Sequence, residues 1–118
     1  MLQAEEITYK VGDLVCRGFI VRDKAHPKPK PCVMIAHDWS GRSEMFCEKA
    51  RQLAALGYVG FAIDMYGDAK LGETTAEKKA LMNPVLENRQ NVTIRMLAAY
   101  QAAADSAWVD DAKIAAIG

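Results

Sequence analysis

The sequence predicts an α/β domain, an antiparallel hairpin followed by parallel strands with crossover helices, and three observations carry that expectation. Two runs, Cys32 to Ala36 and Tyr58 to Ile63, are apolar or small throughout with no polar alternation, the pattern of strands covered on both faces. The residues between them repeat apolar side chains at helical spacing, and a strand-helix-strand unit of this kind requires a parallel sheet. The 118 residues, 51% of them apolar, suffice for one core and not for two, so 1–118 is read as one domain or part of one.

Each element follows in chain order. Ile7 to Lys10 is short and β-prone, and Leu14 to Val21 comes after the Gly12-Asp13 turn with apolar or small residues at alternate positions, so the two are expected to pair as a hairpin. Residues 22–31 hold three of the four prolines and four basic residues, which denies the backbone helix and ladder hydrogen bonds and predicts an exposed connection. After the strand at Cys32 to Ala36, a helix is expected over Ser43 to Leu56. Ser43 is its cap, Phe46, Ala50, Leu53 and Ala54 share one face, and Gly57 stops it. Residues 67–79 read as a polar connection to a long helix from Pro84 to Ala107, with Ile94, Met96, Leu97, Tyr100, Ala103 and Ala104 at three- and four-residue steps. Ile114 to Ile117 begins another parallel strand, and Gly118 ends the chain. No helix follows to cover that strand, so the sheet reads as unfinished. The alternative is a complete small flavodoxin-like binding module, in which Ile114 to Ile117 is covered within the chain.

Composition narrows the function classes. Fifteen basic residues balance fifteen acidic ones, so no net charge favours nucleic acid. No run of eighteen apolar residues occurs, and Met-Leu-Gln-Ala-Glu-Glu lacks the basic start and apolar stretch of a signal peptide, which predicts a soluble, cytoplasmic protein with no membrane partner. Cys16, Cys32 and Cys47 are odd in number and widely spaced, and read as reduced, buried thiols. A zinc site from Cys32, His37 and Cys47 lacks ligand spacing, so no metal is expected. No GxGxxG or GxxxxGK[ST] fingerprint occurs, and no cofactor is expected. Asp38 and Asp64 at two strand ends would suit a Mg²⁺-binding phosphoacceptor domain, but the acidic pair such a domain needs at its first strand is missing.

In open α/β sheets, ligands bind beyond the carboxyl ends of the strands. Here those ends are His37 to Ser43, Asp64 to Asp68, and whatever follows Gly118. A His, an acid, an aromatic residue and a Gly directly after a buried strand place backbone N–H groups where an oxyanion could be held, so the first loop is the candidate oxyanion hole.

Five segments carry a family resemblance. His37-Asp38-Trp39-Ser40-Gly41, Ala50-Arg51-Gln52-Leu53-Ala54, Gly57-Tyr58, Asp64-Met65-Tyr66-Gly67 and Lys113 to Gly118 resemble, in order and spacing, the N-terminal half of the dienelactone hydrolase family. The resemblance implies the N-terminal portion of an α/β-hydrolase fold and hydrolysis of a small ester or lactone by a Cys or Ser nucleophile with an Asp and a His. That nucleophile stands in a G-x-C-x-G elbow, whose first glycine matches Gly118, so it and the rest of the triad would lie beyond this chain, and the 118 residues alone should be inactive. By similarity, Asp38 is the acid that pairs with the resting nucleophile, although family members typically carry Glu there, and Trp39 donates its backbone N–H to the oxyanion. The alternative for Asp38 is that it caps the following helix, and the two roles are not exclusive. Tyr66 and Arg89 are the candidate substrate-binding residues, the latter in competition with Arg95 nearly two turns on. His37 is given a loop-shaping role and Asp64 a backbone-bonding one. No cysteine present is expected to substitute as nucleophile, since none stands at an elbow or has a basic partner nearby in sequence. The exposed sheet edge implies self-association or a missing C-terminal half that docks there, and leaves as a further alternative a non-catalytic fragment that docks on a partner chain.

Overall fold

The computed structural model describes residues 1–25 and 27–118. Five strands and three helices follow in the order β1 (Leu2–Val11), β2 (Leu14–Asp23), β3 (Lys30–Ile35), α1 (Glu44–Ala55), β4 (Val59–Ala62), α2 (Thr75–Leu86), α3 (Arg89–Ala104) and β5 (Val109–Ile117). They build one sheet in the order β1-β2-β4-β3-β5. The hairpin is antiparallel and pairs Leu2 with Asp23 through Val11 with Leu14, and β2 joins β4 antiparallel. β3 runs parallel to both β4 and β5. This order, with its antiparallel side, is not a flavodoxin-like module.

The two crossovers put helices on opposite faces. On one, α1 lays Phe46, Ala50 and Ala54 against Val21, Ile35 and Ala62. On the other, Val85 of α2 and Ala99 and Ala103 of α3 pack over Ile20, Cys32, Met34, Val59 and Phe61. Every residue of β4 is buried, which is why its sequence shows no alternation. Gly60 is required there, because a Cβ would come 2.2 Å from the Ala50 carbonyl oxygen. Without that close approach, α1 could not seat its small residues on the sheet.

Several expected boundaries move. β1 begins at Leu2 rather than Ile7, since an edge strand tolerates the polar residues Gln3, Glu5 and Glu6. β2 ends at Asp23, and β3 starts at Lys30, with Pro31 at a register shift between Lys30 and Cys32 where no ladder donor is needed. Of the expected connection over 22–31, residues 24, 25 and 27–29 are exposed and His26 lies outside the described residues. β5 starts at Val109, not Ile114.

The largest correction concerns 67–107, where one expected helix is two. Thr74 caps α2 by accepting the Glu77 N–H at 3.1 Å, and Glu77 accepts the Glu73 N–H in return. Pro84, which the sequence suggested as a helix opener, sits in the last turn of α2. Asn88 then caps α3 by accepting the Gln90 N–H at 2.9 Å. The buried stripe of α3 is Ala99 and Ala103 with Val92 and Met96 half-buried, whereas Ile94, Leu97 and Tyr100 face outward.

β5 is the sheet's outer strand, paired to β3 alone, and residues 115–117 are exposed. Ile117 is 51% exposed, so this strand is not covered within the chain as a complete small module would require.

Candidate active site

The strand-end loops meet where the parallel strands finish. The Ala36 N–H donates to the Ile117 carbonyl at 2.9 Å, and a Cβ on Gly118 would stand 3.6 Å from that of Ala36. The loop after β3, the loop after β4 and the end of β5 are therefore neighbours. Between them and the two helices above lies a cleft of about 270 Å³. Ala36, His37, Asp38 and Trp39 line one side, with Met65 and Tyr66 beneath; Met82, Val85 and Leu86 of α2 and Val92 and Met96 of α3 close the other. Its wall is chiefly apolar. A larger and more polar groove of about 520 Å³ between β1 and the end of α3 contains none of these strand-end loops.

Asp64 builds the floor. Fully buried, it accepts four backbone N–H groups: Arg17 at 2.9 Å, Tyr66 at 3.1 Å, Gly67 at 3.0 Å and Ala69 at 2.8 Å. Four donors compensate a buried carboxylate that would otherwise be costly. They also hold Asp68 and Ala69 in left-handed backbone, at φ 51° and 49°. The Tyr9 hydroxyl closes the same corner, donating to the Asp64 carbonyl and accepting the Asp64 N–H, and burial pushes its pKa up. Arg95 donates to the Met65 carbonyl at 2.5 Å.

The loop above the floor is pinned differently. The Asp38 carboxylate accepts the Ser40 N–H at 2.9 Å and the Ser40 hydroxyl, and those bonds, the hydroxyl's first, hold its pKa below the usual value. It bonds no N–H of α1, and Ser43, which occupies the N-cap, makes no side-chain cap bond either. The Trp39 carbonyl accepts the Tyr66 hydroxyl at 2.8 Å, and the Ser40 carbonyl accepts the Gly72 N–H at 2.9 Å. Gly41 has φ +101°, and a Cβ there would meet the Lys70 carbonyl oxygen at 2.4 Å, so only glycine lets the two loops touch. The Trp39 N–H meets no acceptor among the described residues.

His37 joins both loops, its Nε2 3.0 Å from the Met65 N and its Nδ1 2.7 Å from the Asp38 carbonyl. Its ring lies 4.8 Å from that of Tyr66 and 6.4 Å from that of Phe46. Burial lowers its pKa. Burial likewise raises the pKa of Tyr66, with Asp38 adding to the effect.

The structure thus brings Asp38, Trp39 and Tyr66 together at one cleft. Arg89 stands exposed at the first turn of α3 and does not line it. Lys78 instead places its Nζ 5.4 Å from the centre of the Trp39 ring; it lies one turn before Met82 on α2, a placement hidden until α2 is recognised as a helix. The cysteines are buried and free. Burial pushes the Cys16 thiol up to about 11 and that of Cys32 up to about 12, away from the thiolate a nucleophile needs. Cys47 does have a basic partner, contrary to expectation, since Arg42 Nη1 donates to its sulfur at 3.1 Å. Among the described residues, no three metal-ligating side chains gather to hold an ion, and no helix is long and apolar enough to cross a membrane.

The sequence model of the dienelactone hydrolase family matches residues 16–118. No curated protein matches the chain significantly. Among solved structures, the chain is similar to a dienelactone hydrolase-like promiscuous phosphotriesterase from metagenomic libraries, with 31% identity and a TM-score of 0.94 over 99% of this chain and 48% of that one. A protein described as m3DLH gives 27% identity and 0.93, covering 99% and 49%. The fold is shared with a putative dienelactone hydrolase from Klebsiella pneumoniae, at 21% identity and 0.75, covering 98% and 49%. The chain spans about half the length of these structures.

Proposed function

From the premise that the chain belongs to the dienelactone hydrolase family, we propose that it is the N-terminal half of a cytoplasmic hydrolase of small esters or lactones and supplies one side of the active site. The observation that carries this reading is the Trp39 N–H, in the loop that follows β3 and lines the cleft, which meets no acceptor among the described residues. In acyl transfer, negative charge develops on the carbonyl oxygen, and a preorganised N–H at that point stabilises the transition state more than the ground state.

The remaining roles follow from placement. The nucleophile, Cys or Ser, would stand two residues after Gly118, at the turn leaving β5. Asp38 would pair with the resting nucleophile across the end of β3, and its low pKa keeps it ionised for that purpose. Tyr66 would contact substrate and brace the Trp39 carbonyl at once. The cleft wall of Met82, Val85 and Met96 favours an apolar acyl group. Further strands would extend the sheet along the free edge of β5. A phosphotriester presents a phosphoryl oxygen to the same donor, and the likeness to a promiscuous phosphotriesterase makes it the second substrate class to try.

The test is hydrolysis of an activated aryl ester, before and after thiol alkylation, with an intact mass taken on each sample. The 118-residue chain should show no turnover, and a protein in which this segment continues through the elbow should show it, with sensitivity to alkylation where the elbow residue is Cys and without it where that residue is Ser. Alkylation-sensitive turnover by the 118-residue chain alone would refute the reading, because it would place the nucleophile among Cys16, Cys32 and Cys47.

A further inference from the structure

His37 precedes the acid by one residue and the oxyanion donor by two, and the proposed chemistry gives it no proton to move. Its hydrogen bonds define what it does. A ring nitrogen that accepts an N–H carries no proton, so with the Met65 N–H pointing at Nε2 the proton resides on Nδ1 and is donated to the Asp38 carbonyl. Only the neutral Nδ1–H tautomer satisfies both contacts.

The acceptor of that proton matters more than the bond itself. The Asp38 carbonyl and the Trp39 N–H are opposite ends of one planar peptide unit. Fixing the oxygen fixes the direction of the N–H, and a hydrogen bond donated to the carbonyl polarises the amide and strengthens its N–H as a donor. Through Nε2 the same ring anchors this peptide to the β4-end loop, which Asp64 holds rigid. The Gly41 N–H reaches the Asp38 carbonyl as well, at 3.2 Å, so the oxygen is held from two sides.

We infer that His37 is the positioning residue of the oxyanion donor: as the Nδ1–H tautomer it couples the Met65 N–H to the Asp38–Trp39 peptide and sets the direction and strength of the Trp39 N–H. This deepens the hydrolase reading and rests on it. Acid undoes the arrangement, because a proton on Nε2 would face the Met65 N–H. The charged groups around the ring are Asp38 on its own loop, Asp64 at the end of β4 and Arg42 before α1, with the Tyr66 phenol stacked beside it. The two carboxylates favour the cation; burial and Arg42 oppose it, burial most strongly, so the neutral ring persists below the ordinary histidine range.

Two measurements test this. Long-range ¹H–¹⁵N spectra of the labelled chain contain two histidines, and His37→Gln assigns the signals by deletion. At pH 7, Nε2 should be unprotonated and Nδ1 protonated, with the Met65 amide shifting at the same acid midpoint as the ring; an Nε2–H tautomer or a cation at pH 7 overturns the inference. In a protein that continues through the nucleophile, His37→Phe should lower kcat roughly tenfold to a hundredfold with KM nearly unchanged. His37→Gln, whose amide can accept from Met65 and donate to the carbonyl, should restore most of the rate and remove the ring's contribution to the acid limb. An unchanged kcat in His37→Phe overturns the inference. Replacing the Trp39 amide by a backbone ester separates the two levels. A rate loss there without one in His37→Phe refutes only the role of His37, and no loss there refutes the oxyanion reading and this inference together.

Discussion

Two aspartates end two neighbouring parallel strands of this sheet and do opposite work. Asp64 is fully buried and spends its carboxylate on four backbone N–H groups, leaving no acceptor capacity turned to the cleft. Asp38, three residues past Ile35, the last buried position of its strand, turns its carboxylate to Ser40, stays ionised, and is followed by an N–H with no acceptor among the described residues. The loop of Asp64 is drawn in around its carboxylate and makes a floor; the loop of Asp38 is held through its carbonyls and the Asp38 carboxylate, which leaves the Trp39 N–H as a donor without an acceptor among the described residues. A strand-end acid is thus structural or chemical according to how many nearby N–H groups claim it, which residue type alone does not reveal.

The comparison can be broken at several points. Asp64→Asn should be the most damaging, because its amide turns a donor toward at least one of the four N–H groups; a loss of about 3–5 kcal/mol in urea unfolding is expected. Gly41→Ala should come next, since the new Cβ meets the Lys70 carbonyl and must leave a positive φ; about 1–3 kcal/mol is expected, with a shifted Trp39 amide resonance reporting displacement of the loop. Thr74→Ala removes the cap of the helix that walls the cleft and should cost about 1 kcal/mol by the same unfolding measurement. Asp38→Asn should change stability least, by roughly 0.5 kcal/mol or less as befits an exposed site, while altering ester hydrolysis in a protein that carries the nucleophile. If Asp38→Asn and Asp64→Asn destabilised equally, the contrast between the two loops would be lost.

What the sequence disclosed follows from the range of the interactions concerned. β4 and the core of β3 were legible because burial on both faces leaves an unbroken apolar run, and α1 because Phe46, Ala50 and Ala54 recur on one face before Gly57. α2 was hidden. It buries only Val85, so no apolar stripe marks it, and its real signal was the capping pair Thr74 and Glu77. The first half of β1 escaped notice because an edge strand needs no alternation of its own. At the site, the family resemblance names Asp38, Trp39, Tyr66 and Arg89 alike; the fold brings the first three to one cleft and leaves Arg89 exposed outside it, because α3 begins at Arg89 itself. The four donors on Asp64, the Arg42 bond to Cys47 and the bridge through His37 join segments that the sequence keeps apart, and only the fold brings them together.

Whether the Trp39 N–H receives a developing oxyanion can be measured directly in a structure. In a protein that continues through the nucleophile, a phosphonate ester that phosphonylates that residue mimics the tetrahedral intermediate, and its crystal structure locates the phosphoryl oxygen. The Trp39 nitrogen is predicted to lie about 2.7–3.1 Å from that oxygen, with His37 still donating to the Asp38 carbonyl. A phosphoryl oxygen turned away from Trp39 and held by other donors would mean that Trp39 is not the oxyanion donor.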